Sequence, residues 1–287
     1  MISTILTHPG GAHKDDFLAL CVLMAKTGAP VIRREPVPSD LSDPTIAIVD
    51  VGGEHTPQMH NFDHHHFPRE HPPPCALSLV LAHYGLYENA LKFCDWLEVA
   101  EWFDSRGPKR TAEWLGVERR IMSQLHSPID TSLLRRLASH SELAAGAPLY
   151  EVMRYIGEDL LEYLESIRSQ LHWTEKRVQR WALEKAGDPI GVLFLAHSDS
   201  LPESPSTSLE QYIRHAELGD EIAAIVYPDL RSGTGYGVAR YEDHPRLDFT
   251  RVADRSDVHF AHTSGFVCKT SALDAEALKA IVLGAWR

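Results

Sequence analysis

Short apolar strands alternate with an amphipathic helix over the first 50 residues, a helical stretch fills residues 148–185, and short β-like runs follow Gly187. This order predicts an α/β protein with a parallel-sheet N-terminal domain that includes a helical connector, residues 1–187, and a smaller α+β C-terminal domain, residues 188–287. Ile2–Thr7 reads as a buried strand, Pro9-Gly10-Gly11 as its turn, and an apolar-periodic helix runs from about Lys14 to Lys26. Strands follow around Val31-Ile32 and over Thr45–Val49, the second ending in Asp50-Val51-Gly52-Gly53. In parallel sheets ligands gather beyond the carboxyl ends of the strands.

After Pro72-Pro73-Pro74 the pattern gives helices near 76–85, 88–104 and 131–144. From Pro148 to about Lys185, Met153, Ile156, Leu160, Leu164, Ile167 and Leu171 recur at three- and four-residue steps, one long amphipathic helix or two broken ones. The C-terminal part carries strands at Ile190–Ala196, Ile222–Tyr227 and Tyr236–Tyr241, a Pro/Ser loop at 202–208, and a last helix from about Asp274 to Trp286. The glycine-rich stretch 232–237 lacks the Lys-Ser/Thr ending of a phosphate loop and reads as a hairpin turn.

Composition narrows the function. A formal charge of −12 argues against coating nucleic acid non-specifically, which needs clustered Lys and Arg, but leaves a short anionic substrate open. No apolar run approaches the roughly 18–20 residues of a membrane span, and the start, MISTILTHPGG, lacks a basic, apolar leader, so a cytoplasmic protein without a membrane partner is expected. The four cysteines lie scattered without CxxC spacing and read as reduced, buried thiols. No GxSxG, HExxH or GxxxxGK[ST] string occurs, which removes the usual serine-hydrolase, zincin and P-loop readings.

Of 17 histidines, eight lie within the first 71 residues, and there the chemistry concentrates. His8 with His13 and Asp15, then Asp50, then Asp63-His64-His65, then Asp104 each follow a strand end or sit in a helix. Carboxylates converging at one sheet edge repel by about 4 kcal/mol per close pair at an effective dielectric near 20, and cations remove that cost. A mixed His and Asp set suits Mn²⁺, Fe²⁺, Co²⁺ or Zn²⁺ better than the oxygen-seeking Ca²⁺. Two such ions, about 3.5–4 Å apart, would clamp a phosphate for in-line hydrolysis. Arg33-Arg34, Arg106, Lys109-Arg110, Arg231, Arg240 and Lys269 are candidates for gripping an anion, most of them as solvated surface.

The strings Thr7-His8-Pro9-Gly10-Gly11-Ala12-His13-Lys14-Asp15-Asp16, Asp50-Val51-Gly52-Gly53, Phe62-Asp63-His64-His65 and Trp102-Phe103-Asp104-Ser105, with His262-Thr263-Ser264-Gly265-Phe266 near the C-terminus, resemble the DHH phosphoesterase superfamily and specifically its MYG1-like (UPF0160) branch. The resemblance implies a DHH-type N-terminal domain in which His8, His13 and Asp50 hold one ion and Asp15, Asp50, His64 and Asp104 the second, with Asp50 as the bridge. It gives His65 a catalytic place facing the substrate phosphate or leaving group, with Asp63 orienting a histidine. Substrate binding falls to His262, Ser264 and Gly265, joined by their neighbours Lys269 and Arg240. The branch follows its Ser-Gly-Phe with a glycine pair, whereas here Val267 leads into Cys268-Lys269.

The activity implied is metal-dependent hydrolysis of a phosphodiester, from the 3′ end of a short RNA or other oligonucleotide. Two divalent cations serve it, Mn²⁺ first and Mg²⁺, Co²⁺, Fe²⁺ or Zn²⁺ as alternatives. The rival readings are a pyrophosphatase or nucleotide phosphatase, and a non-catalytic metal-binding scaffold. A homodimer is compatible with the sequence.

Overall fold

The computed structural model describes residues 1–287 apart from 69–70, 125–126 and 232. The described residues form a mixed α/β structure with two six-stranded mixed sheets and ten α-helices, grouped into two compact units, Met1–Ser166 and Ile167–Arg287. Among the described residues no helix is long and apolar enough to cross a membrane.

The first unit runs β1 (Thr4–Thr7), α1 (Lys14–Thr27), β2 (Val31–Arg33), α2 (Pro38–Leu41), β3 (Ile46–Val49), β4 (His55–Thr56) and β5 (Asn61–Phe62). Helices α3 (Ala76–His83), α4 (Tyr87–Phe93), α5 (Asp95–Leu115), α6 (Arg119–Gln124) and α7 (Pro128–Ala138), strand β6 (Glu142–Leu143) and the first two-thirds of α8 (Pro148–Glu175) complete it. Its sheet has the order β4-β5-β3-β1-β2-β6, the inner four strands parallel and the two edges antiparallel. Ile5, Leu6, Ile48 and Val49 are wholly buried, as strands covered on both faces must be, and α1 lays Leu20, Leu23 and Met24 into the same core. Each such side chain contributes about 1.5–3 kcal/mol by leaving water.

The buried stripe of α8 reads Met153, Gly157, Leu161, Leu164, Ile167 and Leu171, so the expected Ile156 and Leu160 flank it half-exposed. Gly157 is there because the helix crosses α1 so closely that a Cβ would fall on the Cys21 carbonyl. Gly157→Ala is expected to cost about 3 kcal/mol by overpacking, seen as a lower urea midpoint at unchanged slope; an unshifted midpoint would show that the crossing relaxes freely.

The second unit continues from the end of α8 through β7 (Val178–Lys185), β8 (Asp188–Leu195), α9 (Pro205–His215), β9 (Ile222–Asp229), β10 (Gly235–Arg240), β11 (Val258–Ala261), β12 (Val267–Thr270) and α10 (Ala275–Ala285). Its sheet order is β11-β12-β10-β9-β8-β7, antiparallel except for β8 with β9. Alternation along the strands fills two cores. Val192, Phe194, Val226 and Val238 meet Leu278, Ile281 and Val282 of α10 on one face, while Leu193, Leu195 and Ile225 meet Leu209 and Ile213 of α9 on the other.

Several expectations need correction. Residues 178–185 are a strand rather than the end of the connector helix, because β7 pairs with β8 along its whole length and that ladder overrides the helical propensity of its Gln, Glu and Lys. The composition shift at Gly187 is the turn of this hairpin, where Ala186 and Gly187 both take positive φ, 54° and 86°, as a tight two-residue loop requires. The single helix expected over 88–104 is divided at Cys94 between α4 and α5. Much of the Pro/Ser loop is the start of α9, where Pro205 opens the helix. Of the stretch 232–237, Ser232 lies outside the described residues; the chain turns back before Gly235, which pairs with Asp229 in a β9–β10 hairpin. All four cysteines are free and buried.

Candidate metal centre

Three neighbouring parallel strands end at one level, since Thr7 of β1 pairs with Val49 of β3, and Val49 pairs with Phe62 of β5. The next residues, His8, Asp50 and Asp63, therefore leave the sheet side by side at its carboxyl edge. Helix α1 begins above that edge with His13 at its N-cap and Asp15 and Asp16 in its first turn, where carboxylates complement the helix dipole. Asp104 comes from α5.

Asp50 holds a left-handed backbone, φ 57°, a conformation that costs a non-glycine residue about 1–2 kcal/mol and that clusters at functional sites. Its Oδ1 lies 3.1 Å from His64 Nε2 and 3.7 Å from His65 Nδ1, and its Oδ2 3.5 Å from His8 Nε2. Asp50 thus touches three histidines from two segments of the chain. Asp63 accepts from the backbone N–H of Gly53 at 2.6 Å and of His65 at 3.0 Å, and its Oδ1 stands 2.6 Å from His65 Nδ1. The rest of that imidazole is open to solvent.

Three overlapping groups have ligand atoms all within 4.8 Å of one another: His8 with His13 and Asp50, Asp50 with His64 and His65, and His13 with Asp15 and Asp104. All six residues expected to ligate metal are gathered, and His65, expected to face substrate, joins one group as well. The second expected set is divided, since Asp15 and Asp104 cluster with His13 rather than with Asp50. His64 links the groups, its Nε2 being 2.9 Å from Asp104 Oδ2.

The electrostatics are those of a site short of positive charge. The carboxylate of Asp16, then that of Asp50, raise His8 to about 10. Burial pulls His64 down, but Asp104 and Asp50 outweigh it and carry the ring up to about 10. Burial pushes Asp50 up, and His64 and His8 reverse this, holding it well below the usual carboxylate range. Asp15 goes the other way, raised by burial and then by the charges of Asp104, Asp50 and Asp16.

Among the described residues, four buried atoms here, His8 Nε2, Asp15 Oδ1, Asp16 Oδ2 and Asp104 Oδ2, have no hydrogen-bond partner. His8 Nε2 stands 3.2 Å from Asp16 Oδ2 and His64 Nε2 2.9 Å from Asp104 Oδ2, but off the ring N–H direction, so these are charge contacts. A folded chain rarely leaves so many buried polar atoms unsatisfied in one place. Imidazole nitrogens and carboxylate oxygens in this state fit divalent cations.

Two residues escape a sequence reading. Asp16, fully buried, receives the N–H of His13 at 2.8 Å and turns its other oxygen to His8. Its only signal is a carboxylate three residues past the N-cap, a position that folds back on the helix start. Arg33, read as a possible anion grip, is buried and donates to the carbonyls of Gly10, Gly11 and Leu137, fixing the loop that carries His8 and His13.

In the second unit, His262, Ser264 and Gly265 lie together in the β11–β12 turn. Ser264 N–H donates to His262 Nδ1 at 3.1 Å, and the His262 ring lies against Phe266 with centroids 4.3 Å apart. Gly265 has φ 70°, and a Cβ there would strike the Asp248 carboxylate. Arg240 and Lys269 are already paired, Arg240 with Asp243 at 2.7 Å and the Leu247 carbonyl, Lys269 with Asp229 at 2.9 Å.

Fold and site together define an α/β protein with a candidate metal centre at the carboxyl edge of a parallel sheet. Residues 4–87 match the family model MYG1_exonuc, described as an uncharacterised protein family (UPF0160). The matched stretch contains His8, His13, Asp15, Asp50, Asp63, His64 and His65 and stops before Asp104 and the C-terminal motif. No curated protein matches the chain.

Proposed function

We propose that the chain is a metal-dependent phosphodiesterase of the DHH type, acting in the cytoplasm as a 3′–5′ exonuclease on short RNA or other oligonucleotides. The observation that carries this reading is the convergence of His8, His13, Asp15, Asp50, His64 and Asp104, with four buried polar atoms that make no hydrogen bond among the described residues. The matched family model, whose name denotes an exonuclease, supports the same chemistry. The N-terminal domain is the catalytic one, and the resemblance assigns His262, Ser264, Gly265, Arg240 and Lys269 of the C-terminal domain to substrate contacts.

His8, His13 and Asp50 would hold one ion, and Asp15, His64 and Asp104, with Asp50 as the bridge, a second. Bound divalent cations, Mn²⁺ in first place, supply charge that polarises the phosphate and offsets its negative oxygens. The chain's own residues do the rest. Asp50, fixed by its left-handed backbone, aims both carboxylate oxygens into the centre. Asp63 accepts from Nδ1–H of His65, so the ring in its charged form carries its second proton on Nε2 and would give it to the leaving oxygen as water attacks the phosphorus and the P–O bond breaks. Asp16 keeps the His8 ring in place as a positioning residue.

The test is hydrolysis of a labelled RNA oligomer, a DNA oligomer and pyrophosphate with Mn²⁺, comparing the natural chain with Asp50→Ala. Shortening of an oligomer from its 3′ end, reduced about 1000-fold in the variant, is the expected result, equivalent to about 4 kcal/mol of barrier. Cleavage of pyrophosphate alone would move the reading to a phosphoanhydride hydrolase. No turnover, or equal turnover in the variant, would leave a metal-binding scaffold.

A further inference from the structure

Helix α5 is broken in the middle. Gly107 takes φ 75° and Pro108 follows. In an unbroken helix Trp102 and Trp114, twelve residues apart, would be separated by about 18 Å. Instead their rings stack, centroids 4.8 Å apart and planes within 4°. The break folds the second half of α5 back on the first, and between this corner and residues 71–73 opens a groove of about 560 Å³.

The groove has the wrong character for simple packing. Trp114 remains 37% exposed, so the stacked pair offers an indole face to solvent. Two guanidinium groups line the same space. Arg106 gives one nitrogen to the His71 carbonyl at 2.6 Å, and Arg110 makes no hydrogen bond or ion pair among the described residues. Glu113, also in the lining, faces Lys109 at 3.9 Å. In a chain of net charge −12, two arginines without an ion pair among the described residues, set beside an exposed aromatic platform, form a local exception.

We propose that this groove is a second binding site, which takes the bases and phosphates of a single-stranded oligonucleotide. The choice of ligand rests on the phosphodiesterase reading. Every base has a π-face, so stacking on Trp114 is sequence-tolerant, while Arg106 and Arg110 answer the phosphates. Trp102 and Arg106, four residues apart, share one face of α5, and Asp104 between them points away toward the metal centre. Centre and groove are therefore separated by about one helix diameter, roughly 10 Å. Because the helix itself lies between them, a strand must pass around about half its circumference, roughly 15 Å, which with stacked nucleotides about 3.4 Å apart takes about four to five nucleotides beyond the scissile phosphate. The site would measure strand length and reject duplexes, whose bases are not free to stack.

The experiment is fluorescence anisotropy of labelled RNA and DNA strands of two to eight nucleotides with the full chain in excess Ca²⁺, the strands checked to be intact on a gel, so that the centre carries ions while binding is read without turnover. Affinity of the natural chain should climb between about two and six nucleotides, and Trp114→Ala and Arg110→Glu should flatten the climb, weakening the octamer about 10- to 100-fold. Trp114→Phe, which keeps a stacking face, should recover most of it. Arg110 is exposed and makes no hydrogen bond or ion pair among the described residues, so its variant keeps the proposal testable if Trp114→Ala misfolds. Absence of binding, length-independent binding, or variants that bind the octamer like the natural chain would overturn the assignment. Normal 3′ cleavage with unaffected groove variants sinks the groove alone, and groove-dependent binding without any hydrolysis sinks the exonuclease reading alone.

Discussion

Mn²⁺ at a free concentration 1000 times its dissociation constant should raise the unfolding free energy by about 4 kcal/mol, and Asp50→Ala should remove most of that gain. The size follows from mass action, because an unfolded chain scatters the six donors. The dependence on Asp50 follows from position, since it touches His8, His64 and His65 and belongs to two of the three ligand groups. Urea titrations in EDTA and in Mn²⁺ give the measurement. Ca²⁺ should give a smaller shift, because half of the donor set is imidazole nitrogen. A midpoint indifferent to Mn²⁺, or a full Mn²⁺ shift retained by Asp50→Ala, would mean that these residues do not hold an ion.

What the sequence makes legible here follows the range of the forces involved. Strands β1 and β3 and helix α1 are readable because their signals are local, an apolar run closed by glycines or a helical period opened by an acidic turn. Strand β7 is not, because only its pairing with β8 makes residues 178–185 extended. Strands β4 and β5, two residues each, are too short to carry any periodicity. At the site, His8, Asp50 and His64 stand out because each follows a strand that ends at the same edge. Asp16 is hidden by its neighbour: Asp15 and Asp16 are equivalent in sequence, and only the first turn of α1 decides which carboxylate meets His8. The grouping of Asp15 and Asp104 with His13 is likewise tertiary, since nothing in the order of the motifs fixes which donors face one another.

The affinity for Mn²⁺ should climb steeply with pH, about tenfold per pH unit for each proton the ion displaces. His8 and His64, both raised to about 10 from the ordinary histidine value of 6.5, carry protons across the neutral range in the metal-free chain, and an ion must remove them to bind. Between about 6.5 and 10 the slope of log affinity against pH should approach two. Asp15, whose carboxyl is also raised, adds to the slope wherever it binds as a carboxylate. The same shifts fix the stability of the metal-free fold. For groups raised in the folded state, the contribution is complete below the unfolded value and is lost as pH rises through the folded one. Metal-free protein should therefore weaken from about pH 6.5 toward 10, while protein saturated with Mn²⁺ does not, because the ion supplies the charge that the protons had supplied. Asp50, held below the ordinary carboxylate value of 3.8, contributes in the opposite sense, above that value, and its share is lost only as the solution becomes strongly acid. Calorimetric titration in buffers of different ionisation enthalpy counts the protons released. A count near zero at pH 7 would mean that the histidines are neutral before the ion arrives and that the carboxylates around them are paired in some other way.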